Sequence, residues 1–250
     1  MGRVVEDLAA RTPGLHLAAR LDRPAAADPE PNPVPLAGLE AALEACDVIV
    51  DFSTPEAAAA LAAAAANRGG PALVLGATGA TTGQVAQVRA SAERVAIVSS
   101  GNFSLGITLL AALVEEAARR LPADGWDIEI LEMHHRRKID APSGTALLLG
   151  ESAARGRGES LDRDALSGRR GVTGARPVGG VGFAALRGGA VVGEHSVIFA
   201  GEDEIITLSH SARDRKLFAR GALIAAEWVA GKPPGLYDMR HVLGLYPCDP

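Results

Sequence analysis

Apolar positions along most of this chain alternate between a helical and a strand-like rhythm. Leu36 to Ala45 repeats as a helix and runs into Asp47-Val48-Ile49-Val50-Asp51-Phe52, a short apolar run of the kind that forms a buried parallel strand. Ser53 and Thr54 precede Pro55, which suits the first helical position, so an alanine-rich helix is expected as far as Gly69-Gly70. Ala72 to Leu75 and Val95 to Val98 read as two further strands. Each ends in a turn of small residues, Gly76-Ala77-Thr78-Gly79 and Ser99-Ser100-Gly101-Asn102-Phe103, with a helix over Thr82 to Glu93 between them. This alternation predicts an α/β fold with a parallel sheet, whose ligands bind at the carboxyl ends of its strands.

The start of the chain fits that scheme less well. Arg3 to Arg11 reads as a helix stopped by Pro13-Gly14, and Leu15 to Leu21 as a strand finishing at Asp22-Arg23. In a dinucleotide-binding fold an acid at this place bonds the adenosine ribose, and an arginine faces a 2′-phosphate. The pair admits either cofactor, and a solvated strand end is the plainer alternative. Pro24 to Pro35 reads as a surface loop. A buried strand and a glycine-rich turn should precede the first helix. The chain opens instead on Met1-Gly2-Arg3. The expectation is that Met1 is an internal methionine and that the natural product is longer.

Ser104 can cap an amphipathic helix that runs to Arg120 and stops at Pro122. Trp126 to Glu132 then alternates apolar and polar as a strand does. Between Arg155 and Gly180 glycine and arginine dominate, which suits either RNA or, better in an acidic protein, a solvated loop over an acidic ligand. Val181 to Arg187, Ala190 to Phe199 and Glu204 to His210 read as three strands joined by Gly188-Gly189 and Gly201-Glu202-Asp203, hence as hairpins. Asp214 to Ala230 reads as a helix with Leu217, Phe218, Ile224 and Trp228 on its apolar face.

Composition narrows the function classes. With 250 residues, 48% of them hydrophobic, the chain can bury a full core, and a net charge of −5 argues against general affinity for nucleic acid. Two cysteines, Cys46 and Cys248, make no disulfide framework. Glu6 and Asp7 interrupt any apolar signal core, and the alanine run 57–66 is too short to span a bilayer. The expectation is a soluble cytoplasmic protein that binds neither nucleic acid nor membrane.

Chemistry concentrates in Glu132-Met133-His134-His135-Arg136-Arg137-Lys138-Ile139-Asp140-Ala141-Pro142-Ser143-Gly144-Thr145-Ala146. Two imidazoles stand at a strand end, three cations follow, and Ser143 caps a helix whose first N–H groups, those of Gly144 and Thr145, suit a carboxylate. Such a segment can hold a small dianion and deliver a proton. Rival readings are a metal site on Glu132 and His134, disfavoured by the neighbouring cations, and a Ser143-His134-Asp140 hydrolase, disfavoured by the lack of a nucleophile elbow. A charged surface turn is the blandest. No metal is expected.

This run closely resembles the signature of the dihydrodipicolinate reductase (4-hydroxy-tetrahydrodipicolinate reductase) family of lysine biosynthesis. The resemblance implies NADH- or NADPH-dependent reduction of a cyclic imine dicarboxylate. His134 would be the proton donor and Lys138 its assisting acid and carboxylate partner. His135, Ser143, Gly144 and Thr145 would hold the substrate. The cofactor would lie on Met1 and Gly2, on Asp22 and Arg23, on Gly76, Ala77 and Thr78, and on Ser100, Gly101, Asn102 and Phe103. Gly193-Glu194-His195 and the segment Gly235 to Arg240 also match the family, with His195 read as structural. The implied architecture is a Rossmann-like dinucleotide-binding domain lacking its first strand, residues 1–104 with 214–250, and an α+β substrate-binding domain with a mixed or antiparallel sheet, residues 105–213, that packs four subunits into a homotetramer. Because the glycine-rich turn is absent, an inactive relative that binds the dicarboxylate or assembles without cofactor stands as the alternative.

Overall fold

A computed structural model describes residues 1–22, 37–161, 165–166 and 169–246. The chain divides into two compact units, Met1–Ser104 with Lys216–Pro250, and Leu105–Arg215. The expected contributions of Arg23, the 24–35 loop and Cys248 lie outside the described residues.

In the first unit, helices α1 (Gly2–Ala9) and α2 (Leu39–Ala45) precede strand β1 (Val48–Asp51), helix α3 (Pro55–Arg68), strand β2 (Ala72–Leu75), helix α4 (Thr82–Ser91) and strand β3 (Ala96–Ser99). Strand β2 pairs in parallel with both β1 and β3. The start of α3 is written locally: the Thr54 hydroxyl accepts the Ala57 N–H and Pro55 holds the first turn, while Gly69 ends the helix at φ +79°. Leucine and isoleucine from the strands meet the alanine face of α3 in one core, with Leu73, Ile97, Ala62 and Ala65 fully buried. The chain returns to this unit through α7 (Lys216–Val229), β9 (Gly235–Tyr237) and α8 (Met239–Val242). Strand β9 pairs in parallel with β3, giving the order β1-β2-β3-β9.

The expected strand over Leu15 to Leu21 does not form. Its residues are irregular apart from an isolated bridge at Arg20, whose carbonyl accepts the Ala37 N–H at 2.8 Å. A strand needs a ladder partner for its N–H and C=O groups, and β1 pairs only with β2 among the described residues. Leu15 instead packs with α1, whose Val5 and Ala9 meet Ala219 and Leu223 of α7. Asp22 therefore follows an irregular segment and is exposed.

The second unit holds α5 (Leu105–Arg120), β4 (Asp127–His134), α6 (Gly144–Gly156), β5 (Ala165–Leu166), β6 (Val181–Arg187), β7 (Gly193–Ala200) and β8 (Ile205–Ala212). Its mixed sheet runs β5-β6-β4-β7-β8. Burial along β4 alternates: Ile128, Ile130, Glu132 and His134 face inward, and α5 and α6 supply Val114 and Leu149 to the same core.

Strands β7 and β8 form the expected hairpin, but β6 and β7 do not. Strand β4 lies between them, parallel to β6 and antiparallel to β7. The Gly188-Gly189 link crosses the end of β4 and bonds to it, Gly188 N–H to the His134 carbonyl at 2.9 Å and Arg136 N–H to the Gly189 carbonyl at 3.3 Å. A two-glycine signal is ambiguous between a hairpin and a crossover because both need only a backbone free to turn. The glycine- and arginine-rich stretch also differs from expectation. Arg157 donates to the carbonyls of Gly179 and Trp126, and Arg176 binds Asp127 and Glu129, so these cations are spent on the protein itself.

Candidate active site

The side chains at the end of β4 are organised by Glu132, a residue only 1% exposed. A period of two puts its carboxylate on the same sheet face as the His134 ring, and Oε2 lies 2.6 Å from His134 Nδ1. Arg187 stands opposite His134 in the β4–β6 register. Its guanidinium grips Glu132 with both ends, Nη1 to Oε2 and Nη2 to Oε1, each at 2.8 Å. The Ser143 N–H donates to Oε1 at 3.1 Å. Burial pushes the Glu132 carboxyl up, but the Arg187 and His134 bonds outweigh it and hold the group below the usual carboxylate range. An ionised carboxylate only accepts, so Nδ1 of His134 carries the proton and Nε2 is left for chemistry.

Two neighbours shape the space around that ring. A Cβ on Gly193 would come within 3.1 Å of His134 Nε2, so glycine at this position keeps the space beside that nitrogen open. The His195 ring meets His134 edge to face, centroids 5.0 Å apart, and its Nε2 lies 3.1 Å from the Ser143 hydroxyl. Burial, aided by the nearby His134, pushes His195 down to about 4, so it is neutral near pH 7.

The predicted substrate residues follow on one loop and one helix start. Lys138 Nζ contacts both oxygens of Asp140, at 2.8 and 2.9 Å, and this contact holds the Asp140 carboxyl below its ordinary range. His135 is half-buried, and its Nδ1 has no partner among the described residues. Ser143 caps α6 by accepting the Ala146 N–H at 3.1 Å. With its own N–H given to Glu132, Ser143 is buried and fully engaged; Gly144, which follows, is exposed, with open space where a side chain would be. The hydrolase reading is not assembled here. Ser143 meets His195 rather than His134, and Asp140 meets Lys138. Among the described residues no cluster of three or more metal-ligating side chains occurs.

In the first unit, the turns after β2 and β3 lie at the carboxyl edge of the parallel sheet. Gly76 is needed for packing, since a Cβ there would fall 2.3 Å from the Phe52 ring. The Phe103 side chain is buried, edge to face with Phe52 at 5.4 Å, so it belongs to the core. Ser100 closes its own turn by donating to the Asn102 carbonyl, and the Asn102 amide oxygen accepts the Ser104 N–H. Met1 and Gly2 form the start of α1, where the Met1 carbonyl accepts the N–H groups of Val4 and Val5. At the same sheet edge Asp51 accepts from the Ser53 N–H and hydroxyl through one carboxylate oxygen, while the other is buried without a hydrogen-bond partner among the described residues.

Residues 1–103 match the family described as dihydrodipicolinate reductase, N-terminus, and residues 106–243 match dihydrodipicolinate reductase, C-terminus. The chain belongs to the dihydrodipicolinate reductase family. A 4-hydroxy-tetrahydrodipicolinate reductase of Caulobacter vibrioides is 55% identical over 245 residues, covering 98% of this chain and 93% of that protein. Another, of Rhizobium meliloti, is 56% identical over 207 residues, 83% of this chain and 75% of its own length. Among solved structures, the dipicolinate-bound dihydrodipicolinate reductase of Paenisporosarcina sp. TG-14 superposes with a TM-score of 0.78 at 25% identity, covering 95% of this chain and 92% of that one.

Within this reductase chain, the reading of the sequence missed Arg187 and saw Glu132 only as a possible metal ligand. Arg187 lies 55 residues from Glu132 in sequence. The signal that could have found it is its place at a strand end, just before Gly188-Gly189.

Proposed function

We infer that this chain is a 4-hydroxy-tetrahydrodipicolinate reductase, which reduces the cyclic imine dicarboxylate to tetrahydrodipicolinate in the diaminopimelate route to lysine. The observation that carries the reading is the His134 ring, oriented by a buried ionised Glu132 at the head of a loop bearing Lys138 and the α6 start. The Paenisporosarcina reductase binds dipicolinate, itself a planar ring dicarboxylate, which supports this substrate class.

In the proposed mechanism, the Gly144 and Thr145 N–H groups at the start of α6 bind one carboxylate, with help from the helix's positive end. His135 and Lys138 bind the other, and the lysine's charge helps keep the substrate ionised. Ser143 acts by capping the helix and tying it to Glu132. As the imidazolium, His134 hands its Nε2 proton to the substrate and is left as the neutral Nδ1–H tautomer, its ring held at Nδ1 so that little reorientation is needed. Lys138 assists that transfer.

A nicotinamide fits the first unit's sheet edge. The unpartnered Asp51 oxygen there suits a hydroxyl or amide donor, and the 76–78 and 100–102 turns offer backbone close to it. When bound, the nicotinamide supplies the hydride. Met1 and Gly2 would lie at its pyrophosphate, and Asp22 and Arg23 at the ribose, one suited to a free 2′-hydroxyl and the other to a 2′-phosphate, so either NADH or NADPH is accepted. A homotetramer is supported by the outer face of the mixed sheet, where Leu131 and Leu186 are exposed on one face, diagonal to each other across the β4–β6 pair. The reading assigns the enzyme to the cytoplasm, where the free thiol of Cys46 persists reduced. No described helix is long and apolar enough to cross a membrane.

The test is a coupled assay in which a synthase generates the unstable substrate in place and nicotinamide oxidation is followed with NADH and then NADPH. Turnover with both is expected. Binding of pyridine-2,6-dicarboxylate without turnover under either cofactor would overturn the reductase reading in favour of a non-catalytic binding protein.

A further inference from the structure

We propose that Arg187 is a positioning residue for proton delivery: its guanidinium fixes the Glu132 carboxylate that orients His134, and ties the Lys138 loop to the same strand end. The proposal rests on His134 as the proton donor, as inferred above.

The guanidinium makes four hydrogen bonds. Two go to the two oxygens of Glu132, one from Nη1 to the Leu186 carbonyl at 2.6 Å, and one from Nη2 to the Asp140 carbonyl at 2.6 Å. Asp140 in turn holds Lys138. One planar cation thus joins β6, β4 and the 135–142 loop, and sets two groups of the proposed chemistry at once. Arginine suits this because its fork matches a carboxylate at both oxygens and still has donors left for carbonyls. Glu132 needs such a partner. It is almost fully buried, and an uncompensated carboxylate there would take up a proton and lose its hold on Nδ1.

The charged and titratable groups around His134 are Glu132 on its own strand, Arg187 on β6, His195 on β7, and Lys138 and Asp140 on the loop. His195 is neutral at working pH, so Glu132 and Arg187 dominate. Removing the arginine lets the buried carboxylate take up a proton, and removing the carboxylate abolishes its charge outright, so either change alters both the charge at Glu132 and its hold on the histidine proton. A role in folding alone would move neither.

The experiment compares Arg187→Met, Arg187→Lys and Glu132→Gln with the wild type in the coupled assay across pH, alongside His134→Gln. Arg187→Met is expected to lose at least tenfold in kcat with cofactor KM unchanged, and Arg187→Lys to recover part of it. The alkaline limb of the kcat profile is expected to move to lower pH in both Arg187→Met and Glu132→Gln, since each leaves the imidazolium without an ionised carboxylate at Nδ1. As a readout independent of turnover, nitrogen NMR of histidine-labelled protein, assigned by difference with His134→Gln and recorded at a pH where the ring is neutral, should show His134 as the Nδ1–H tautomer in wild type and as a mixture in Glu132→Gln and Arg187→Lys. Unshifted limbs and an unchanged tautomer, with His134→Gln still impaired, would overturn the positioning role alone. If Arg187→Met fails to fold, the tautomer in the other two variants decides. A wild-type rate in His134→Gln would instead overturn the reading on which the proposal stands.

Discussion

Gly221→Ala should destabilise the first unit and weaken cofactor binding together, although alanine is the better helix former. Gly221 lies inside α7, and a Cβ on it would fall 1.7 Å from the Phe103 carbonyl oxygen and 2.9 Å from the carbonyl carbon. Both obstacles are backbone, so no side chain can swing aside. The helix or the 100–103 turn must shift. Replacing glycine by alanine in a helix interior gains about 1 kcal/mol, while forcing extra volume into a packed site costs about 1–3 kcal/mol and more where backbone must move. The expected balance is a net loss of ~1–2 kcal/mol, read as a fall in Tm of roughly 2–8 °C for a chain of this size. Because the displaced turn is one proposed to hold the nicotinamide, the KM for NADH or NADPH should rise severalfold. Gly83→Ala, in α4 with no neighbour closer than 4.0 Å to the new atom, is the control and should be neutral or stabilising. Thermal unfolding followed by circular dichroism, with cofactor KM from the coupled assay, gives both numbers. A Tm at or above that of the wild type would refute the packing argument.

Other perturbations separate site from scaffold. Gly193→Ala places a carbon 3.1 Å from His134 Nε2, so kcat should fall severalfold while Tm changes little; steady-state kinetics and a melt check it. Gly69→Ala puts a side chain on a φ of +79° at the end of α3, which costs about 1–2 kcal/mol and should lower Tm without changing kcat. His195 is held neutral in the fold, down to about 4 from an ordinary value of 6.5. The neutral form's stability is therefore complete above pH 6.5 and is lost as pH falls toward 4, by about 3 kcal/mol in total. Denaturant titrations of His195→Gln between those limits should show a flatter acid side than the wild type.

Local signals account for what the sequence disclosed. Thr54-Pro55, Gly69 and Ser143 announce helix ends because a cap is satisfied within three or four residues. The alternation of β4 showed which residues share a face, and the run 132–146 carried enough chemistry to suggest its family. What was hidden depends on partners distant in sequence. Leu15 to Leu21 has the composition of a strand, yet composition supplies no ladder, and the segment stays irregular. Gly188-Gly189 marks a turn without saying that β4 will lie between the strands it joins. Strand β9 is three residues long and exists through its pairing with β3. Arg187 reads as one of many arginines until the β4–β6 register brings it opposite His134, and only then does Glu132 become an orienting carboxylate rather than a candidate ligand.

The most direct test of the central claim, that His134 delivers the proton with Lys138 assisting, is the coupled assay on His134→Gln and Lys138→Ala beside the wild type, with cofactor affinity measured separately. General acid catalysis contributes about 10²–10⁴-fold. Each variant is therefore expected to lose on the order of a hundredfold or more in kcat while binding NADH as the wild type does. Wild-type turnover in His134→Gln would contradict the account.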